Sequence, residues 1–270
     1  MATDAAITRP MRADCAAAYD RGVDGYINVW SAVILPPAEA VVAALDLQPG
    51  ARVVDVGAGT GALVPTISAH ARGSQVVALD ASIEMLRAAK DRTDASVVHA
   101  DALTLPIRSN CAHAVLMAYV LFHLKDPKRG LAEAHRVLRS GGTIGTVTWK
   151  SEATLPVDAI WTETLTEAGA PPLPPRRVDT GLDSADAVTD LLTDTGFQPR
   201  RIWLERLQHQ WTADTYWQLV TGSGLNRLRL DVLDDPVRAE TLTRAQQRLA
   251  SLAPDDFAWS GEVVCAVATR

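Results

Sequence analysis

A short apolar strand followed by alternating glycines constrains this chain more than any other segment. Val53 and Val54 lead into Asp55 and Val56, and the next seven residues contain the glycines Gly57, Gly59 and Gly61. Glycine permits a sharp backbone turn and lets N–H groups come close to a ligand. The segment therefore predicts a nucleotide-binding turn at the end of a buried parallel strand. Its loose G-x-G-x-x-A spacing also fits a dinucleotide fingerprint, so the turn alone leaves the cofactor open.

Strand and helix patterns alternate through the first 150 residues, which predicts a parallel sheet with helices on both faces. The predicted strands are Arg52–Val56, Gln75–Leu79, Ser96–Ala100, Ala114–Tyr119 and Thr143–Trp149. The predicted helices are Ala62–Ala71, Ile83–Arg92 with Ser82 as its N-cap, and Lys128–Leu138, followed by a turn at Ser140–Gly142.

The pattern changes after Lys150. Helices are predicted over Pro156–Ala168, Ser184–Thr195 and Pro236–Leu252, and strands over Arg200–Gln208 and Phe257–Thr269. The proline-rich stretch 170–177 predicts an extended loop, either a surface crossover or part of a lid rim. Gly222-Ser223-Gly224 is either a lid hinge or an ordinary helix end. The first 35 residues predict a helix, a turn and a second helix.

Composition and charge exclude several classes of protein. A formal net charge of −6 argues against a general binder of nucleic acid or anionic membranes, because those need basic faces. Cys15, Cys111 and Cys265 are far apart, which predicts no disulfide framework, no zinc site and a reducing compartment. We see no signal peptide and no apolar run of about 18 residues, so we expect a cytoplasmic protein without a membrane span.

Acidic residues follow three successive predicted strands. Asp55 ends the first, Asp80 the second, and Asp101 with Ala102 follows the third. Ligands of open α/β sheets bind at the carboxyl ends of strands. Asp55 could accept hydrogen bonds from an amine, Asp80 could bind two ribose hydroxyls, and Asp101 could meet the exocyclic amine of adenine. Any one of these acids alone is more typical of a turn or an N-cap, but three together favour a nucleoside site.

The chain resembles the class I S-adenosylmethionine-dependent methyltransferases, in their small-molecule branch (methyltransferase type 11 and quinone-biosynthesis-like). The matching segments are Val53–Gly61, Val76–Ser82, the D-A-x-x-L-P element within 99–106, Leu121–Pro127, and the R-V-L-R-x-G-G element at 136–142. The resemblance implies an α/β fold with a Rossmann-like doubly wound sheet, mostly parallel, with an antiparallel C-terminal strand and a helical lid or insertion. It also implies S-adenosyl-L-methionine as cofactor and S-adenosyl-L-homocysteine as product.

The same resemblance implies roles for particular residues. The methionine portion of the cofactor would lie on Gly57, Ala58 and Gly59, its amino group at Asp55 and its ribose at Asp80. The remaining contacts would come from Ala81 and Met85 on the adenine face, Asp101 and Ala102 at the adenine edge, and Ala118 and Tyr119 beside the sulfonium. Tyr26 and Trp30 are candidates for an aromatic pair that closes over the cofactor, or alternatively for packing residues of the N-terminal helix.

His123 is the candidate general base, because it follows the fourth strand and imidazole titrates near neutral pH. Its alternative is a structural hydrogen bond at the turn. The other histidines favour structural roles: His113 lies at the far end of the fourth strand, His135 lies in a helix and His99 is expected to be partly buried. His209 could face the substrate. No metal-binding constellation is present in the sequence.

The acceptor is expected to bind outside the cofactor core. Segments 1–35, 150–180 and 205–235 contain the large rings Trp30, Trp149, Trp161, Trp211, Tyr216 and Trp217, which suit a flat organic molecule. The alternative is that several of these rings anchor the insertion. We expect a helical lid over 1–35, a cofactor-binding core over 36–150, and a segment 151–270 that completes the sheet and carries substrate-binding insertions, all in one structural domain.

These expectations favour methyl transfer to O, N or C of a small organic molecule, such as a secondary metabolite or a quinone-like compound. The alternative is a protein of the same fold that binds S-adenosylmethionine but catalyses cyclisation or elimination. A nicotinamide oxidoreductase rests only on the loose glycine pattern. The expected partner is the small-molecule acceptor, without nucleic acid or membrane, and a homodimer is left open.

Overall fold

The computed structural model describes residues 15–152, 155–172, 181–222 and 224–270. These residues form two compact units. The first comprises the described residues within 1–33, 152–176 and 207–261, and the second those within 34–151, 177–206 and 262–270.

A seven-stranded sheet has most of its residues in the second unit. Its strands are β1 (Arg52–Val56), β2 (Gln75–Asp80), β3 (Ser96–His99), β4 (Ala112–Ala118), β5 (Leu138–Glu152), β6 (Gln198–Gln210) and β7 (Ala258–Thr269), in the order β3-β2-β1-β4-β5-β7-β6. β1 to β5 pair in parallel. The Gly141 N–H donates to the Arg270 carbonyl, and the Arg270 N–H donates to that of Gly142 (3.2 and 2.9 Å). This reciprocal pair shows that β7 runs antiparallel to β5, so the predicted fold class is confirmed.

Helices follow the strands as the alternating pattern predicts. They are α1 (Cys15–Arg21), α2 (Val23–Ala44), α3 (Val64–His70), α4 (Ile83–Arg92), α5 (Pro127–Val137), α6 (Pro156–Glu167), α7 (Ala185–Asp194), α8 (Ala213–Gly222), α9 (Gly224–Asp231) and α10 (Asp235–Leu249). Short 3₁₀ turns lie at Leu121–His123 and Pro254–Phe257. From Val53 to Val56 the strand β1 is buried on both faces, which is why these residues are apolar except for Asp55.

The predicted turn at Ser140–Gly142 is instead an irregularity inside β5. Ala112 pairs with Leu138, whereas Ala114 pairs with Thr143, so β5 carries extra residues between these two pairs. Gly141 has φ +72°, and a Cβ on Gly142 would lie 2.9 Å from the Arg139 carbonyl oxygen. Glycines therefore allow the strand to bulge and continue rather than begin after a turn.

The helix α2 also differs from expectation, because it does not end near residue 35. It passes through Pro36 and Pro37 to Ala44, and its residues Tyr26–Trp30 are π-helical. An 18-residue window of this helix has a mean hydropathy of 1.5, so by length and composition the helix could cross a membrane, contrary to the expectation of no such run; 39% of that window is buried. A buried face is equally typical of a core helix, so this is weak evidence for a span.

Polar contacts and rings hold the helices of the first unit together. The Tyr216 hydroxyl donates to Asp158 of α6 at 2.8 Å, and Arg248 of α10 donates to Thr164 and Glu167. Trp161 and Trp217 pack edge to face at 5.9 Å. The predicted loop 170–177 lies largely outside the described residues, as does Ser223 of the predicted hinge.

Candidate functional site

The parallel strands of the second unit bring the predicted acids to one edge of the sheet. Asp55 pairs with Ala78 and with Leu116, and Asp80 pairs with His99. Neighbouring parallel strands that end at the same level present their following loops side by side. The candidate site is therefore the carboxyl edge of β1 to β4.

The glycine turn after β1 is held by the neighbouring strand. The N–H groups of Gly57 and Ala58 both donate to the Leu79 carbonyl, at 2.7 and 3.0 Å. Gly57 has φ +69°, and a Cβ there would lie 2.3 Å from the Val120 Cγ2. Gly57 therefore permits both the backbone turn and the close approach of the loop after β4.

Gly59 differs from Gly57 because it faces open space. It has φ +55°, and a Cβ there would meet no atom within 4 Å. Its N–H donates to the Asp80 Oδ2 at 2.8 Å, and the other oxygen of that carboxylate accepts from the Ser82 N–H at 2.8 Å. Asp80 thus ties the glycine turn to the start of α4 while remaining half-buried.

The two residues predicted to face the adenine, Ala81 and Met85, lie at the start of α4 and differ in exposure. Ser82 caps the helix by accepting from the Met85 N–H at 3.2 Å, as predicted. Ala81 is exposed, whereas Met85 is 2% exposed.

Asp55 is the most unusual acid of the site. It is 2% exposed, and among the described residues no group hydrogen-bonds its Oδ2. Burial, with a smaller contribution from the negative charge of Asp80, raises its pKa from 3.8 to about 7. The carboxyl group is therefore ready to exchange a proton or to pair with a cationic ligand near neutral pH.

Side chains of α5, distant in sequence, hydrogen-bond to the loop after β3. Asp101 is exposed, and its Oδ1 accepts from the Leu103 N–H at 2.9 Å, while Ala102 is half-buried. Glu133 of α5 accepts from the Leu105 N–H at 2.8 Å, and Arg136 donates to the carbonyls of Leu105 and Ile107.

Glu133 and Arg136 also form an ion pair (2.8 Å). We call the contacts of these two side chains with the loop at 105–107 the loop clamp. The hydrogen bond from Arg136 lowers the pKa of Glu133, although burial opposes the shift. We missed this function of Glu133 in the sequence. The regular spacing of Glu133 and Arg136 on one helix could have indicated an ion pair, but not its target.

The end of β4 carries a strained aromatic residue. Tyr119 has φ +60°, which is unusual for a bulky side chain and is often found at functional sites. Its N–H donates to the Val147 carbonyl at 2.8 Å, and its ring lies 5.4 Å from that of Trp149. Ala118, one residue before, is half-buried.

His123 lies in the 3₁₀ turn that follows, and its N–H donates to the Val120 carbonyl at 2.9 Å. The residue is exposed at the protein surface, while its ring packs against that of Phe122 (4.3 Å between centroids). Desolvation of the ring lowers its pKa to about 4. The ring is therefore neutral at pH 7, and its low pKa makes it a weak base.

The other histidines have structural contacts. His113 Nδ1 accepts from the Arg52 N–H at 3.0 Å, at the opposite end of β4 from Tyr119. His135 packs edge to face on Phe197 at 5.2 Å. His99 contacts the Ala81 carbonyl at 3.0 Å, but it is exposed rather than partly buried because β3 is an edge strand. The part of the chain that the structure describes contains no cluster of metal ligands.

Tyr26 and Trp30 belong to the first unit. Tyr26 packs edge to face on Tyr19 at 6.0 Å. Trp30 stacks on Trp211 at 6.2 Å and meets Trp259 edge to face at 5.4 Å. These contacts agree with the packing alternative, and closure over the cofactor stays a prediction.

Two depressions lie on the first unit. One of about 730 Å³ is lined by α6 residues from Asp158 to Glu167, and one of about 400 Å³ is lined by residues including His209 and Trp259. Neither is lined by the acids of the candidate site.

Comparison with known proteins agrees with this geometry. Residues 54–145, which span the glycine turn to the middle of β5, match the family described as "Methyltransferase domain". A demethylmenaquinone methyltransferase of Renibacterium salmoninarum is 33% identical over 188 residues, covering 69% of this chain and 74% of that protein. One of Corynebacterium glutamicum is 42% identical over 113 residues, covering 42% of this chain but only 47% of the relative.

A solved structure shares the fold at low sequence identity. The Haemonchus contortus phosphoethanolamine N-methyltransferase 2, in complex with S-adenosyl-L-methionine, aligns with a TM-score of 0.53 and 17% identity over 93% of this chain and 57% of that one. The chain therefore belongs to the class I S-adenosylmethionine-dependent methyltransferases, in their small-molecule, quinone-biosynthesis-like branch, and S-adenosylmethionine is its cofactor.

Proposed function

We propose that this methyltransferase transfers a methyl group to O, N or C of a small organic acceptor with a flat, quinone-like ring. The observation that carries the donor half of the proposal is the buried, unpartnered Asp55 oxygen next to the open turn at Gly59. Support for the acceptor half comes from two relatives that match parts of this chain and are named demethylmenaquinone methyltransferases. A secondary-metabolite acceptor remains a prediction.

The residues at the carboxyl edge fit the cofactor chemically. A cationic amine would satisfy the Asp55 oxygen, and the open space at Gly59 leaves room for a chain against the backbone. The Asp80 carboxylate is held in place by two N–H groups, and a carboxylate oxygen can accept more than one hydrogen bond, which suits the hydroxyls of a ribose.

Each predicted contact keeps its assignment in the proposal. The methionine portion lies on the turn, the ribose at Asp80, the adenine between Ala81 and the loop at Asp101, and the sulfonium near Tyr119. The proposed contacts within the second unit are Asp55, Gly57, Ala58, Gly59, Asp80, Ala81, Met85, Asp101, Ala102, Ala118 and Tyr119, whereas a role for Tyr26 and Trp30 of the first unit stays a prediction.

The bound cofactor supplies an electrophilic methyl group on a good leaving group. The protein's main contribution is then to hold the acceptor atom in line at short distance, which can account for much of the rate enhancement. A base is needed when the acceptor atom carries a proton. His123 follows β4 and its imidazole is neutral at pH 7, so we propose that it accepts that proton as a weak base.

Aromatic rings are proposed to recognise the acceptor. Trp149 is half-buried and packs on Tyr119, which places an aromatic surface at the carboxyl ends of β4 and β5. In the first unit Trp161, Trp211 and Tyr216 are at most 2% exposed, so they are core residues of that unit. Trp30 and Trp217 are half-buried and remain candidates for acceptor contacts.

The proposal places the enzyme in the cytoplasm, acting on an acceptor in solution. Its partner in the proposal is that acceptor.

Two experiments test the halves of the proposal separately. Titration calorimetry with S-adenosylhomocysteine should show binding to the wild type and about 10- to 100-fold weaker binding to Asp80→Ala, because hydrogen bonds to a charged group are lost. Asp91→Ala, an exposed acid on α4, is the matched control and should bind as the wild type does. Unchanged binding by Asp80→Ala would refute the site.

Methyl transfer is tested with methyl-labelled cofactor and a panel of reduced naphthoquinones, phenols and amines, followed by mass spectrometry. A labelled naphthoquinol product supports the acceptor class. Label on the amines alone would refute the quinone-like acceptor, and a rearranged product without label would favour the cyclase alternative.

A further inference from the structure

One edge of the sheet in the second unit ends in a long strand. β6 spans Gln198–Gln210 and has β7 on one side; among the described residues no strand pairs with its other side. Residues 198–201 are exposed, and Leu204 is 47% exposed although it is apolar. An open edge of this kind presents unpaired N–H and C=O groups to another chain.

Three alternating residues of β6 form an ordered row of charges around a ring. The guanidinium of Arg201 lies 4.5 Å from the centre of the Trp203 ring, and the Trp203 Nε1 donates to the Glu205 Oε1 at 2.7 Å. Alternate residues of a strand lie on one face of the sheet. The row is therefore positive, aromatic and negative, and symmetric about Trp203 apart from the sign of the charge.

Such a row is complementary to itself when two copies run antiparallel. Only every second residue of an edge strand points its N–H and C=O outward, so a residue can pair only with one an even number of positions away. If Trp203 is opposite Trp203 of a second copy, Arg201 is opposite Glu205 twice. Cross-strand pairs of opposite charge and of aromatic rings both stabilise antiparallel strands.

Neighbouring registers lack this match. Pairing centred on Ile202 puts Arg201 opposite Trp203, and pairing centred on Glu205 puts two carboxylates together. The register centred on Trp203 does bring Arg200 opposite Arg206. However, Arg206 lies 3.3 Å from Glu262 of its own chain, so its charge is partly compensated.

We propose that two copies of this chain form a homodimer by antiparallel pairing of β6, centred on Trp203, so that one continuous sheet crosses the interface. The proposal is independent of the acceptor and of the cofactor site, because Arg201, Trp203 and Glu205 are not among the residues assigned to either.

Sedimentation velocity over a micromolar concentration series tests the dimer by charge exchange. The wild type should sediment as a dimer. Glu205→Arg and Arg201→Glu should each weaken association at least about tenfold, because each places like charges opposite one another. The double variant Arg201→Glu/Glu205→Arg should restore the dimer, since the exchanged charges again face each other.

Glu240→Arg, on the exposed side of α10, makes the same charge change elsewhere and should leave the dimer intact. Trp203→Cys adds a measurement that does not depend on charge: oxidation should link two copies through this position. A monomeric wild type throughout the series would overturn the proposal. A dimer that survives both single variants and gives no Trp203→Cys cross-link would also overturn it, because another surface would then hold the dimer.

Discussion

Replacing the buried acid Asp55 by Asn should make the ligand-free protein more stable at alkaline pH and weaken its cofactor binding. Asp55 is 2% exposed and its pKa is raised from 3.8 to about 7, mainly by burial. Between these pH values the folded protein holds a proton that the unfolded chain releases. The contribution of the neutral group is therefore complete below about pH 4 and is lost as pH rises through 7.

The size of the effect follows from the shift. About three pKa units at about 1.4 kcal/mol each give an upper limit of about 4 kcal/mol. Urea unfolding of wild type and Asp55→Asn between pH 5 and 9 should show a stability difference that grows in favour of the variant up to about pH 7 and is constant above it. Comparing the two proteins at each pH cancels the titration of all shared groups.

Asp101→Asn is the control, because this exposed side chain caps its own loop and its charge is screened by solvent. Its stability difference from the wild type should stay within about 0.5 kcal/mol at every pH. In calorimetry, Asp55→Asn should bind S-adenosylhomocysteine more weakly despite its greater stability. A stability difference that does not change with pH would refute the assignment of a buried, raised-pKa carboxyl at this position.

Four further substitutions test the geometry around the site and the role of His123. Gly57→Ala should destabilise the fold by about 2–4 kcal/mol in urea unfolding, because its Cβ would clash with Val120 at a positive φ. Gly59→Ala, with open space around it, should cost only about 1 kcal/mol. Equal losses of stability in the two variants would contradict the described contact between residue 57 and Val120. Glu133→Gln should destabilise the fold by about 1–3 kcal/mol at pH 7, because the ion pair with Arg136 is lost. Since the pKa of Glu133 is lowered in the folded protein, this difference should shrink as pH falls and the wild-type carboxylate is protonated. A stability difference that does not change with pH would argue against the ion pair. His123→Ala should lower turnover about 10²-fold or more while S-adenosylhomocysteine affinity stays within about twofold, and unchanged turnover would remove its role as base.

Local chemistry explains why much of the fold could be predicted. β1 and α4 have the predicted bounds, because a buried β-branched run and a serine N-cap act within a few residues of themselves. The edge location of Asp55, Asp80 and Asp101 also follows from strand ends alone. The course of β5 could not be predicted in this way: its bulge depends on pairing with Ala112 and Ala114 of another strand, and glycines mark turns and bulges equally well.

Contacts between distant residues account for the rest of what the sequence could not show. The clamp on the D-A-x-x-L-P loop joins Leu105 to Glu133, 28 residues away, and the ring of Trp30 stacks on Trp211. Tyr119 combines a positive φ with contacts to Val147 and Trp149 of another strand, and no pattern within β4 indicates either. Patterns along the chain indicate which residues bear chemistry, whereas packing decides which of them meet.

The three acids show that equivalent positions at strand ends can have different environments. They occupy equivalent places at the ends of successive strands, yet Asp55 is buried with an unpartnered oxygen, Asp80 is held by two N–H groups, and Asp101 is exposed and caps its own loop. A buried carboxyl without a partner is costly unless it is protonated or paired with a cation. A carboxylate held by backbone donors is instead oriented for hydroxyls. A ligand with a cationic amine at one end and a ribose nearby supplies the cation that Asp55 needs and the hydroxyls that suit Asp80. The environments of these acids, and not only their spacing, therefore favour S-adenosylmethionine.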